Sequence, residues 1–289
     1  MALVYRLDIR GEIMATPMQS LKRITNVFLR HAKVTLMREH ELQAINDRYR
    51  DIVGQLAGVV AANILPDVEI TAERLRRLSD LMGTQVVEGV YLIDRLLYTM
   101  PLPGDVCEMG VAQGATSALI ASELSCHPEK NIWLYDSFEG LPKPSEKDTL
   151  IDDPLNLGNL MNYSGQMAYP VQEVLKRLDT TDFPRERTRI IKGFLDNNIP
   201  ASNLPIEIAF AYVDFDFYQP ILDALNLIHP RLVPDGIIMI DDYGFLSSGA
   251  KTATDEFFAQ RPDEYVFEVC PPFAGHFATL RKIAPPMVG

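Results

Sequence analysis

Along the chain, the spacing of apolar positions changes character once, near residue 70. Upstream, from Pro17 to about Ile64, apolar residues recur at intervals of three and four: Leu21, Ile24, Val27 and Phe28, then Val34, Leu36 and Met37, then Ile52, Val53 and Leu56. That spacing is one face of a helix, so the stretch is predicted helical. Residues 1–16 carry no clear period. Pro66-Asp67 closes the section; Thr71 to Leu81 and Val86 to Leu97 then read as two more helices before Pro101, Pro103 and Gly104 break the chain.

Beyond Gly104 short apolar runs alternate with helical ones. A strand in Gly104–Met109 is followed by strands at Asn131–Tyr135, Thr188–Lys192, Ile206–Val213, Gly236–Ile240, Tyr265–Val269 and His276–Leu280. Helices at Ala118–Leu124, Val171–Leu178, Ile221–Leu227 and Ala250–Ala259 separate most of them. Such alternation predicts an α/β fold: a doubly wound, mostly parallel sheet of seven strands with helices on both faces. Residues 1–69 are expected to be an N-terminal helical extension and 70–289 the main domain. Residues 143–170 are polar, rich in Pro, Gly and Asn, and without pattern, so they are expected to be a loop with a task of its own, a lid over a bound acceptor.

Composition narrows the classes. With 39 acidic against 27 basic residues the formal net charge is −12. A nucleic-acid surface needs clustered Lys and Arg, and the balance excludes it. Of the three cysteines none forms a C-x-x-C pair, so neither a disulfide scaffold nor a zinc site is expected. No apolar run reaches the length of a membrane span, and the N-terminus lacks the order of a signal peptide. The expectation is a cytoplasmic protein. Arg and Lys along the first predicted helix leave open contact with an anionic surface, but packing on the domain or on a second subunit is preferred.

The chemistry gathers at the strand ends. Glu108, Gly110 and Gly114 follow the first strand as Glu-x-Gly-x-x-x-Gly. Two glycines let the chain turn and a ligand approach, as in doubly wound nucleotide folds. A carboxylate there would repel phosphate and suits a nucleoside with a cationic end, which points to S-adenosylmethionine rather than a dinucleotide. Asp136, about 25 residues on and at the next strand's end, is placed to take ribose hydroxyls. Gly193-Phe194 at the third strand's end fits either an adenine ring or the core. The fourth and fifth strands end in Asp214/Asp216 and Asp241/Asp242. Adjacent strands lie about 4.8 Å apart, so these carboxylates converge, and a hard divalent cation relieves their repulsion. His276 and His229 are expected to make structural hydrogen bonds.

Five segments, GDVCEMGVAQGATS, WLYDSFEGLP, IIKGFLDNNIP, VDFDFYQP and IDDYGFLSSGAKTATDEFF, resemble in order and spacing the macrocin O-methyltransferase family. The resemblance covers about residues 70–282. It implies the class I methyltransferase fold, which is Rossmann-like, S-adenosylmethionine and Mg²⁺ as cofactors, and methylation of a hydroxyl on a small-molecule acceptor, a glycosylated natural product. Position by position it places Glu108, Gly110, Thr116 and Ser117 at the methionine side, Asp136 with Ser137 at the ribose, and Gly193 with Phe194 at the adenine. Asp214, Asp241 and Asp242 fall on the metal ligands, with Asp214 also in the place of the general base. Where the family has Trp-Arg-Gly-Gly this chain has Ala112-Gln113-Gly114-Ala115, and its Asp-Gly-Asp is Asp214-Phe215-Asp216. A homodimer is expected. The competing readings are a catechol-type methyltransferase acting on a planar diol and a non-catalytic module retaining the fold.

Overall fold

A computed structural model describes residues 39–81, 83–195, 199–271 and 274–284. The helix expected over 17–38 lies outside them, as do 196–198 of the third motif and Pro272-Phe273. The chain divides into two compact units, residues 1–55 and 56–289. The divide falls within the first described helix, α1 (Glu39–Asn63).

In the larger unit the helices α2 (Ala72–Ser79) and α3 (Val86–Thr99) precede the sheet. Thr71 caps α2 by accepting the Arg74 N–H at 3.2 Å. Arg74 in turn makes a two-pronged ion pair with Glu123, which ties α2 to α4 (Ala115–Leu124). The strands are β1 (Asp105–Met109), β2 (Ile132–Asp136), β3 (Thr188–Lys192), β4 (Ile208–Val213), β5 (Leu232–Ile240), β6 (Tyr265–Val269) and β7 (Ala278–Lys282). They form one seven-stranded sheet in the order β3-β2-β1-β4-β5-β7-β6. β7 runs antiparallel to both its neighbours and the remaining pairs are parallel. This is the predicted doubly wound architecture.

Sequence dictates position here. β4, Ile-Ala-Phe-Ala-Tyr-Val, is buried at every residue, as a central parallel strand covered on both faces must be. β1 lies beside it with Met109 opposite Val213, and β5 lies on its other side with Ile240 opposite Val213. The helices α5 (Val171–Leu178), α6 (Tyr218–Ile228) and α7 (Ser248–Ala259) complete the cover. The spacing of α7 turns Ala253, Thr254, Phe257 and Phe258 inward; the first three are buried and Phe258 is partly so. Chain order reverses between β1 and β4, and a doubly wound sheet opens a crevice beyond its strand ends at that point.

Candidate active site

A cavity of about 590 Å³ occupies the crevice. Its wall includes Gly110, Asp136, Ser137, Gly193, Phe194, Asp214, Asp241 and Asp242 from the sequence reading. Gly114, Thr116 and Ser117 are not on that wall, and Glu108 lies behind it.

Glu108 is buried and accepts a hydrogen bond from the Ser117 hydroxyl through Oε2. Its Oε1 is buried with no partner. Burial, offset in part by Ser117 and reinforced by the Asp136 charge, pushes this carboxyl up to about 8. Gly110 makes the turn behind it: with φ +92°, a β-carbon there would meet the Asp214 carbonyl oxygen at 1.8 Å. Gly114 serves packing instead, because its missing side chain faces Val174 of α5, whose Cα would lie 3.0 Å from a β-carbon. The expected approach of a ligand at Gly114 is replaced by a helix.

Asp136 holds the loop. Its Oδ2 accepts the N–H groups of Val111 at 2.7 Å and Ala112 at 3.0 Å, and its Oδ1 accepts that of Phe138 at 2.6 Å. Ala112 is thereby kept at φ +45°. Ser137 donates to the Gly140 carbonyl at 3.0 Å. Gly193 has open space where a side chain would be, and Phe194 beside it is half exposed at the cavity edge.

At the β4 and β5 tips the acids converge as their strand ends predict, with Asp216 standing where the resemblance put Asp241. Ligand oxygens of Asp214, Asp216 and Asp242 lie within 4.8 Å of one another. Asp241 is turned aside: its Oδ1 accepts the Asp242 N–H at 2.7 Å and its Oδ2 accepts the Tyr212 hydroxyl. Asp216 takes its place because both it and Asp242 adopt left-handed backbone, φ +60° and +55°. Non-glycine residues held there are costly, and such strain gathers at functional sites. A strand-like two-residue alternation after β4 puts Asp214 and Asp216 on one side, so the pair at this strand end meets the acids of β5 together. Burial first, then the neighbouring carboxylates, raises the pKa of Asp214, Asp216 and Asp241 well above the ordinary range. Asp242 is raised by burial too. An all-oxygen acidic set that cannot ionise freely by itself fits a hard divalent cation.

Sequence reasoning missed the far wall. Gly83, Thr84, Gln85 and Glu88 at the start of α3 line the cavity, as do Leu155, Met167, Phe245, Leu246 and His276. The His276 ring stacks on Phe245 at 4.5 Å, so it faces the cavity instead of only bonding within the core. His229 has the expected structural role, with Nδ1 2.8 Å from the Tyr265 hydroxyl. The 143–170 loop is clasped to the body: Asp148 accepts the Tyr218 N–H at 2.8 Å, and Tyr163 is buried in a small core with Leu160, Phe217 and Leu246.

Solved structures share this architecture. The chain matches one described as the O-methyltransferase NovP with a TM-score of 0.57 and 20% identity, covering 83% of this chain and 100% of that one. It matches CalS11, described as a calicheamicin methyltransferase, with a TM-score of 0.55 and 21% identity, covering 80% and 91%. Strand order and switch-point cavity together define the class I methyltransferase fold. Within that class, residues 10–265 match the family model described as Macrocin-O-methyltransferase (TylF), and the chain belongs to this family. Among curated relatives it is 28% identical over 183 residues to the 8-demethyl-8-(2,3-dimethoxy-alpha-L-rhamnosyl)-tetracenomycin-C 4'-O-methyltransferase of Streptomyces olivaceus, covering 62% of this chain and 64% of the relative. It is 29% identical over 177 residues to the mycinamicin III 3''-O-methyltransferase of Micromonospora griseorubida, covering 60% and 64%. The matched stretch spans less than two thirds of these relatives' lengths. Among the described residues no helix is long and apolar enough to cross a membrane.

Proposed function

We propose that this protein is an S-adenosylmethionine-dependent O-methyltransferase acting, with a hard divalent cation such as Mg²⁺, on a hydroxyl of a glycosylated natural product. Residues 70–289 are the methyltransferase domain in this reading, 1–69 its extension, and the cytoplasm its place of action. The observation that carries it is the meeting of Asp214, Asp216 and Asp242 within 4.8 Å at the end of the cavity wall that also holds Asp136 and Gly193.

When bound, the donor supplies an electrophilic methyl and the cation lowers the pKa of a coordinated hydroxyl. The chain's residues supply the rest. The unpartnered Oε1 of Glu108, behind the wall, favours a cationic donor end on the cavity side. The loop that Asp136 clamps and the open face of Gly193 seat the nucleoside. Asp214, Asp216 and Asp242 would hold the cation, with Asp241 locked behind them by Tyr212. Asp214 takes the hydroxyl proton as the oxygen–carbon bond forms and the carbon–sulfur bond breaks. Holding oxygen, carbon and sulfur in line contributes much of the remaining acceleration.

A catechol slot would be flat and aromatic and a sugar pocket polar; this cavity sets the acid cluster beside apolar and aromatic side chains, so the preference for a sugar is supported by the acceptors named for the curated relatives. Its intact acid cluster also argues against a non-catalytic module. The test is calorimetric titration with S-adenosylmethionine, followed by transfer of labelled methyl to glycosides with free hydroxyls in EDTA and then in Mg²⁺. Binding, with transfer only in Mg²⁺, is expected. No binding at all would leave the non-catalytic module; full transfer in EDTA would end the metal assignment.

A further inference from the structure

Helix α1 carries a row of large apolar side chains that stand open. Leu42, Ile45, Tyr49, Ile52, Leu56 and Val59 are each between 36% and 63% exposed. Single exposed apolar residues are ordinary, but these are successive members of one pattern. The steps between them alternate strictly, three residues then four. That is the 3.5-residue repeat of a coiled-coil seam, narrower than the stripe a helix turns toward a globular body. A second, buried stripe runs along the same helix at Val53, Ala57, Val60 and Ala61.

We propose that the open row of α1 is the seam of a homodimer, occupied by the same row on a second copy of this chain. A heptad row is self-complementary, because each knob needs a hole of the same spacing, and a two-fold dimer presents the same patch from both sides. The row runs over about 27 Å of helix at 1.5 Å per residue. It exposes on the order of 500–600 Å² of apolar surface per copy, so a pair buries about 1,000–1,200 Å², enough for a specific interface. A lipid surface is the poorer occupant. Membrane-lying helices carry a basic polar face, whereas here Asp47 and Asp51 flank Arg48 and Arg50 and balance their charge. This assembly is independent of the proposed chemistry, since none of its residues lines the cavity.

The experiment is analytical ultracentrifugation of the full chain at micromolar concentration, beside the double variant Ile45→Asp, Ile52→Asp. Both side chains are largely open, 50% and 63% exposed, so the variant is expected to fold, with unchanged circular dichroism. The wild type should sediment at twice the chain mass and the variant at the chain mass. A dimer that persists in the double variant overturns the proposal by placing the interface elsewhere. A monomeric wild type also overturns it; if the double variant of that monomer melts earlier, residues 1–38 of the same chain cover the row instead.

Discussion

Glu88 and Gly275 compete for one volume: a β-carbon on Gly275 would fall 1.7 Å from Glu88 Oε1. The other carboxylate oxygen, Oε2, accepts the Gln85 N–H and so closes the first turn of α3. A residue at the start of α3 is thus held against the connection into β7, at the cavity wall. Gly275 sits at φ +76°, where alanine is strained by itself. Gly275→Ala should therefore cost about 2–4 kcal/mol, part left-handed strain and part overpacking. In a Glu88→Ala background only the backbone share, about 1–2 kcal/mol, should remain. Urea unfolding of the four proteins measures this coupling; additive costs would show that the two residues do not share space.

Asp214 receives the strongest chemical assignment. It lies at the tip of β4, its N–H bonded to the Met109 carbonyl at 2.7 Å, so the backbone holds it between β1 and β5. Asp214→Asn keeps shape and removes the base. Transfer should fall by about 10²-fold or more, while affinity for S-adenosylmethionine stays within a few-fold. Single-turnover transfer and calorimetry check both halves. Turnover near wild type would take the base role away from Asp214.

How much of this was legible beforehand follows from which signals are local. The ends of β3, β6 and α5 fall where periodicity and flanking breakers put them. β5 begins at Leu232, before the Pro234-Asp235-Gly236 that reads as a turn. The sheet absorbs that turn as an irregularity: Ile208 pairs with Leu232, and Phe210 with Ile237. Pairing with β4 overrides the local signal there. Asp216 stands beside Asp214 and Asp242 while Asp241 turns to Tyr212, and periodicity alone does not give this, because side-chain direction beyond a strand end depends on left-handed φ at Asp216 and Asp242. Glu88 was invisible, since its place in the site depends on contacts with His276 and Gly275, far along the chain.

Glu108 makes stability and ligand binding pH-dependent. Unfolded, a glutamate titrates near pH 4.3; folded, burial raises this one to about 8. Between those values the folded state keeps a proton that the unfolded state has released. Glu108's contribution is therefore full below about pH 4.3 and is lost as pH rises towards 8, at up to about 1.4 kcal/mol per pH unit. Glu108→Gln should flatten that slope relative to wild type, as unfolding curves at pH 5.5 and 8 would show. A cationic ligand that pairs with Oε1 should also expel close to one proton at pH 7. Binding enthalpies in buffers of different ionisation heat measure that release; identical enthalpies would mean that Glu108 is already charged.

The loop expected as a lid is fastened at both its approach and its middle. Asp148 Oδ2 accepts the backbone N–H and hydroxyl of Ser145, each at 2.7 Å, while its Oδ1 accepts the Tyr218 N–H at the start of α6. Gly249 at the start of α7 has room for this carboxylate only because it lacks a side chain, since a β-carbon would lie 1.8 Å from Asp148 Oδ1. Further along, Asp153 accepts the hydroxyl of the buried Tyr163 at 2.6 Å. One carboxylate thus joins the loop to two helix starts that flank the acid cluster. Removing it strands the Tyr218 N–H and loosens the wall that carries Leu155 and Met167, at a cost of about 1–3 kcal/mol. Limited proteolysis reads this directly. In wild type, cleavage within 143–170 should be slow and unchanged by S-adenosylmethionine, and in Asp148→Ala it should be several-fold faster. Strong protection of the wild-type loop by the ligand would restore the lid.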